Sequence, residues 1–291
     1  MGLTDNHATG YSLLSYLCGY YKHYYPEQFI AAYLMNAAND DDINTGRAMA
    51  KARGIRMTKP CFRQDNRTFY VDTVNHTISD ALSSVKGIGL KDAEALWTLR
   101  DRTYQTFMEL LRDMALVSGA LNLSVIEKLI KLDYFHEFGP IKKLLVLYNE
   151  FYNGKHRFKT TLVPASQQKR MEELIHIERD INIQCDDTGE KDEPLDIIRY
   201  ECELIGSPMT LLPNEYKGDY AVIEVDTKYS PKVRMMSLTT GNVGTMKILK
   251  KTFQEYPLKA GDLIGLESWH KKEAWGKPGV TENWMYRYHM V

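Results

Sequence analysis

Cysteine is scarce and scattered. Cys18, Cys61, Cys185 and Cys202 form no C-x-x-C pair and have no histidine at ligand spacing, which argues against a zinc site or a disulfide frame and fits a reducing compartment. Long apolar runs are missing too: no stretch approaches the ~18 uncharged apolar residues that would span a bilayer. The polar start "MGLTDNHATG" is not a basic-then-apolar leader. Neither membrane insertion nor export is expected, and a cytoplasmic location is. An excess of one charge is also lacking, since 37 Lys and Arg face 38 Asp and Glu for a net charge of −1. This argues against a wholesale polyanion-binding surface. The charge is uneven, however: residues 214–291 carry 12 basic against 9 acidic side chains, while 186–203 carry 2 against 8. Any contact with nucleic acid must be local.

What is present is enough apolar material for two to three domains, with 44% hydrophobic and 11% aromatic residues in 291. Residues 10–58 read as helical, with Pro26 opening a second helix, Asp41 or Asp42 as the N-cap of a third, and Gly54 as its stop. "FYVDTV" (69–74) reads as a short strand. Five short helices follow: "DALSSVK", "KDAEALWTLRD", "FMELLRDM", "LSVIEKLIKLDYF" and "IKKLLVLYNEFY". A helix "QQKRMEELIHIERDI", an acidic loop "CDDTGEKDEP" and a helix ending at Gly206 come next. From residue 219 the period changes to two, giving five strands with a short helix "KTFQEY" after the third, the order of an OB barrel. The expected fold class is a multidomain α+β chain. Its N-terminal two-thirds is mostly α with tandem helix-hairpin-helix units, and its C-terminal part is a five-stranded OB-type β-barrel.

The sharpest local signal is "SSVKGIGLKDAEALWTLRD" (83–101). In a helix-hairpin-helix, the first glycine, Gly87, makes a turn that other residues resist, and Ile88 plugs the core of the hairpin. Gly89 then exposes backbone N–H groups at the start of the next helix, where the partial positive charge favours a phosphate oxygen. Lys86 and Lys91 flank the turn. Such contacts ignore base identity. The plainer reading makes Gly87 a helix stop and Gly89 a packing contact. The added apolar pattern of Leu82, Val85, Ala93 and Leu96 at helical spacing favours DNA.

Taken in order, "NHATGYSLLSYLCGYYKHYYPEQFIAAYL", "SSVKGIGLKDAEAL", "LSVIEKLIKLDYFHEFGPIKKLL" and "YECELIGSPM" resemble the C-terminal portion of the bacterial replicative DNA polymerase III alpha subunits, the C-family. The resemblance implies that residues 1–75 correspond to the end of a fingers region and 76–153 to a tandem helix-hairpin-helix domain that grips duplex DNA. Residues 154–213 read as a helical linker with an acidic loop, and the resemblance implies that 214–291 form an OB domain near single-stranded template. The polymerase chemistry of that family rests on palm aspartates holding two metal ions, which lie upstream of everything matched. No catalytic residue, metal site or cofactor is therefore expected in this chain, and "DDD" (40–42) reads as a charged helix start.

Expected partners are primer-template duplex, single-stranded DNA, and a palm-containing chain or missing N-terminal part, in a bacterial or phage-infected cell. In the fingers-like region Asn6, His7 and Thr9 are candidates for a place near the nucleotide or primer-template, or else cap the helix starting at Tyr11. The tyrosines from Tyr11 to Tyr25 predict a face that packs on a domain outside this chain, and so an exposed aromatic face here. For the sliding clamp the nearest match is "QQKRMEEL", with Gln167, Met171 and Leu174. In the second hairpin Asp133 and Tyr134 stand where the family has a glycine and a small residue, so a structural role is expected there. For a single strand the OB domain offers "SWHKKEAWGKPG" as a loop, with Trp269 and Trp275 as stacking platforms and Lys271, Lys272 and Lys277 for phosphates. Lys228, Lys232 and Arg234 line the facing loop and strand. Trp284, Tyr286 and Tyr288 alternate on one strand and read as core. The rival reading is a free-standing scaffold or regulatory protein that uses these modules to bind proteins.

Overall fold

The computed structural model describes residues 5–117, 121–188, 191–274, 276 and 278–291, without the side chains of 5–8, 40, 41, 44 and 186–188. The chain divides into two units, residues 1–103 with 117–121, and residues 104–116 with 122–291.

The first unit begins with helices α1 (Asp5–Tyr24), α2 (Pro26–Met35) and α3 (Asp40–Ala52). Pro26 opens α2 where a missing N–H costs nothing. The N-cap of α3 is Asn39 rather than Asp41 or Asp42: its backbone is extended and its side chain accepts the Asp42 N–H at 2.9 Å. Asp42 in turn accepts from the Ala38 amide at 3.1 Å. Gly54, at φ +71°, follows α3 in the left-handed region that a side chain resists.

A small sheet follows, built from β1 (Arg56–Thr58), β2 (Tyr70–Asp72) and β3 (Thr77–Ser79) in the order β1-β3-β2. The sequence marks only β2, through the aromatic and β-branched run "FYVDTV"; β1 and β3 are three-residue strands outside any such run. Ile78 of the central strand packs with Ile30, Leu34, Ala50 and Ile55, each buried Ile or Leu contributing about 1.5–3 kcal/mol. The helix expected over "DALSSVK" is instead a single 3₁₀ turn, Leu82–Ser84. The Asp80 N–H is committed to the Thr58 carbonyl and the Leu82 N–H to that of Asn66, so the segment is tied to its neighbours and not to its own preceding turn. Helix α4 (Leu90–Trp97) completes the unit.

In the second unit, α5 (Phe107–Leu116), α6 (Leu123–Lys131) and α7 (Ile141–Tyr152) bury Phe107, Leu111, Leu129, Leu144 and Phe151. Helix α8 (Pro164–Thr188) runs through Cys185, past the point where the acidic loop was expected to start. No Gly or Pro interrupts 165–188, so nothing stops it earlier. Helix α9 (Pro194–Leu204) leads to the barrel and packs Ile198 and Cys202 against Ala221, Leu238 and Leu263.

The barrel strands are β4 (Asp219–Asp226), β5 (Lys232–Ser237), β6 (Val243–Ile248), β7 (Leu263–Glu273) and β8 (Thr281–Met290), with α10 (Lys250–Glu255) after β6. The barrel closes in the order β4-β5-β6-β8-β7. Only β6 and β8 run parallel, and β7 returns to pair with β4, the five-stranded connection of an OB-type domain. Val222, Val233, Met235, Ile248, Ile264 and Met285 fill it.

Candidate nucleic-acid interface

The glycine seam is a surface turn. Gly87 has φ +76°, the left-handed conformation its position demands. Ile88 is buried, as are Leu82, Val85, Ala93 and Leu96, while Lys86, Gly87, Gly89, Leu90 and Lys91 are exposed. Gly89 is extended, at φ −109° and ψ 173°, and sits at the N-cap of α4. A Cβ there would meet only the Asp92 carboxylate, at 3.6 Å.

Asp92 changes the anion-binding arithmetic. Its Oδ2 accepts the Gly89 N–H at 2.8 Å, so that amide is already occupied. The next two, on Leu90 and Lys91, are first-turn N–H groups with no carbonyl four residues back in their own helix. These two amides, the helix end and the Lys86 and Lys91 side chains are what the turn presents to an anion.

Elsewhere the protein supplies its own anions to helix starts. Glu178 accepts from the Phe107 and Met108 amides at 2.8 and 2.9 Å and so caps α5. Burial pushes its carboxyl above the ordinary range, against the pull of those two amides. Asp192 accepts from the Ile141 and Lys142 amides at 2.8 and 2.9 Å and caps α7. The second hairpin therefore has its helix start filled from within. Its turn residue Asp133 takes φ +63°, a conformation that aspartate tolerates better than most side chains. Neither Glu178 nor Asp192 was identified from the sequence, because both lie about 50 or more residues from the amides they hold.

The other candidates are placed as follows. Asn6, His7 and Thr9 lie within α1, which starts at Asp5 and not at Tyr11, so they do not cap it; the side chains of Asn6 and His7 are outside the described residues. From Thr9 to Tyr25 every side chain is exposed, and the tyrosine rings contact one another, with Tyr20 and Tyr24 at 4.7 Å between centroids. Gln167 donates to the Thr160 and Leu162 carbonyls at 3.0 and 2.9 Å, and Met171 and Leu174 are buried in α8. That segment presents none of the apolar side chains a clamp peptide would offer.

In the barrel, Trp275 and Lys277 lie outside the described residues. Trp269, Lys271 and Lys272 are exposed but belong to strand β7, which with β8 forms a long two-stranded arm where a loop was expected. Lys232 and Arg234 are half-buried on β5, and Arg234 pairs with Glu224 at 3.5 Å. Lys228 sits beside Tyr229 in the loop before β5, at 5.7 Å. The expectation that Trp284 and Tyr286 are core is wrong. Met285 between them is the buried residue, and strand alternation turns both rings outward, half-exposed. Tyr288 does pack against the barrel core, and its hydroxyl donates to the Tyr256 carbonyl.

Among the described residues no group of three or more His, Cys, Asp and Glu side chains is placed to hold a metal ion, and no helix is long and apolar enough to cross a membrane.

The sequence model of the family described as "Helix-hairpin-helix motif" matches residues 54–145. DNA polymerase III subunit alpha of Ureaplasma parvum is 30% identical over 184 residues, 58% of this chain and 18% of that protein. The protein of the same name from Borreliella burgdorferi is 25% identical over 264 residues, 86% of this chain and 22% of its own length. That of Thermus aquaticus is 32% identical over 147 residues, 50% and 12% respectively. The chain thus spans less than a quarter of the length of these relatives.

Proposed function

The chain resembles the C-terminal part of the bacterial DNA polymerase III alpha subunit over most of its length, and from that premise we propose that it holds DNA for a replicative polymerase without forming phosphodiester bonds itself. The observation that carries this reading is the start of α4. Its Leu90 and Lys91 amides and the flanking Lys86 and Lys91 ammonium groups stand exposed together, where the starts of α5 and α7 are filled by Glu178 and Asp192. A phosphate oxygen of duplex DNA fits that set: two N–H donors, a helix end worth about half a positive charge, and two flexible cations.

The mechanism is positional. Contacts to backbone phosphates hold the duplex in any sequence, so the primer end stays near a catalytic centre carried by a palm outside this chain, and fewer cycles end in dissociation. The barrel extends the grip to single-stranded template through Lys232, Trp269, Lys271 and Lys272. A cytoplasmic setting goes with this role.

Binding of a fluorescent primer-template, followed by anisotropy across a salt series, tests the proposal. The parent should show a steep fall of affinity with salt. Replacing Lys86 and Lys91 by Gln should flatten that slope by roughly one per lysine and weaken all sequences alike. An unchanged slope sinks the hairpin reading. A second reading, a scaffold that binds proteins, draws on the exposed tyrosine-rich surface of α1. It requires capture of a protein partner that is insensitive to salt, with no duplex affinity.

A further inference from the structure

We propose that the outer face of the barrel carries a stacking shelf for single-stranded nucleic acid, made by Trp284 and Tyr286 of β8 with Lys272 and His270 of β7, and that Glu282 restrains it. The inference rests on the reading of the chain as a DNA-holding protein, but it places the single strand on the side of the β7–β8 arm and uses rings that strand alternation had suggested were core.

The geometry comes from register. Met285 is buried in the barrel, so Trp284 and Tyr286 on either side of it point out. Across the ladder His270 lies opposite Trp284 and Lys272 opposite Glu282, while on the other side Lys247 of β6 lies beside Trp284. The side chains converge accordingly. Lys272 Nζ stands 5.4 Å from the Trp284 ring centre and 5.1 Å from that of Tyr286. The His270 ring meets Tyr286 edge-on at 5.4 Å.

Magnitudes decide whether such a cluster would open for a ligand. A lysine resting on an exposed ring gains about 0.5–1 kcal/mol, whereas a base stacked on an aromatic side chain gains about 1–3 kcal/mol. Lys272 sits on a flexible four-carbon stem, so it can leave the rings for a phosphate and give their faces to bases. Spacing selects the kind of strand. Rings two residues apart on one strand are separated by about 6.8 Å, twice the roughly 3.4 Å rise per nucleotide of a stacked duplex strand. Bases seated on both rings are therefore unstacked from each other, which an unpaired strand permits and a duplex does not.

Glu282 sets the sign of the remaining charge. It binds Lys247 Nζ at 2.5 Å, and Lys247 also lies 5.6 Å from the Trp284 ring. Lys247 is thereby neutralised beside the shelf, while Lys272, which makes no ion pair among the described residues, is a cation left for a phosphate. Removing the carboxylate should convert Lys247 into a second one.

The test uses the full chain and a labelled oligothymidylate, with primer-template duplex titrated in parallel. The double variant Trp284→Ala, Tyr286→Ala should lose oligothymidylate affinity by about 5- to 150-fold for each base contact removed, the equivalent of 1–3 kcal/mol per base. Glu282→Gln should gain affinity several-fold, an effect that misfolding cannot produce. Unchanged affinity in Glu282→Gln overturns the proposal, whatever the fate of the double variant. If Trp269→Ala takes the whole loss and the double variant none, the strand lies elsewhere on the arm, and the shelf is refuted while single-strand binding survives. If the parent binds no oligothymidylate, the shelf and the single-strand part of the proposed function fall together. The duplex arm reports separately on the hairpin through Lys86 and Lys91.

Discussion

The backbone amide of Gly89 donates to Asp92 Oδ2 at 2.8 Å, closing the first turn of α4 with a carboxylate of its own. The aspartate stabilises the helix start and at the same time places a negative charge beside the two amides left for an outside phosphate. Asp92→Asn keeps an acceptor for the Gly89 N–H and removes the charge. Duplex affinity should rise by about 2- to 5-fold, the range of a single charge at a helix end (about 0.3–1 kcal/mol). Anisotropy titration at low salt checks it, and a fall in affinity would show that the cap and not the charge matters to DNA.

The two glycines of the seam should separate stability from binding. Gly87 at φ +76° is in a conformation that costs a side chain about 1–2 kcal/mol, so Gly87→Ala should lower the unfolding free energy by that amount. Gly89 has an ordinary extended backbone and room for a Cβ. Gly89→Leu should cost up to about 1 kcal/mol as a poorer N-cap, yet weaken duplex binding for every sequence by blocking approach to the Leu90 and Lys91 amides. Chemical denaturation and anisotropy on both variants give the two readings independently. Equal effects of the two substitutions on binding and on stability would remove the distinction.

Ahead of the seam in the chain, Asp80 is 1% exposed and pairs with Arg47 at 2.9 Å. Burial pushes its carboxyl above the ordinary aspartate range, against the pull of Arg47. An acid whose folded value is raised contributes stability that is full below its unfolded pKa, about 3.9, and is lost as pH rises through the folded value. Arg47→Met removes the partner and strands the charge. It should cost about 3–5 kcal/mol near pH 7, and the penalty should shrink as pH falls toward 4, where Asp80 can take a proton. Thermal melts of parent and variant across that range measure it. A penalty that does not vary with pH would mean that Asp80 is not the group being stranded.

What could be read from the sequence was what local chemistry fixes. Gly87 announced a left-handed turn, Pro26 a helix start, and the period-two runs after residue 219 a barrel whose strand order then followed. What could not be read was settled at a distance. The segment around Leu82–Ser84 makes only a 3₁₀ turn because the Thr58 carbonyl holds the Asp80 amide and the Asn66 carbonyl that of Leu82. The starts of α5 and α7 are closed by Glu178 and Asp192 from remote segments. Alternation correctly placed Trp284 and Tyr286 on one side of β8, but which side faces the core is decided by the neighbouring strands, and they chose Met285.

The exposed helix α1 makes the last prediction. A helix that shows leucine and tyrosine side chains to solvent along its length marks a contact surface, and here Leu13 is 58% and Tyr16 67% exposed with tyrosines along the same helix. The isolated chain should self-associate through this surface and bind an apolar dye. Replacing Leu13 and Tyr16 by Gln removes apolar area without touching any buried contact. Light scattering should then report a smaller apparent mass and the dye signal should drop, while the unfolding free energy stays within about 0.5 kcal/mol of the parent. Unaltered scattering and dye binding would place the adhesive surface elsewhere and leave α1 without a partner role.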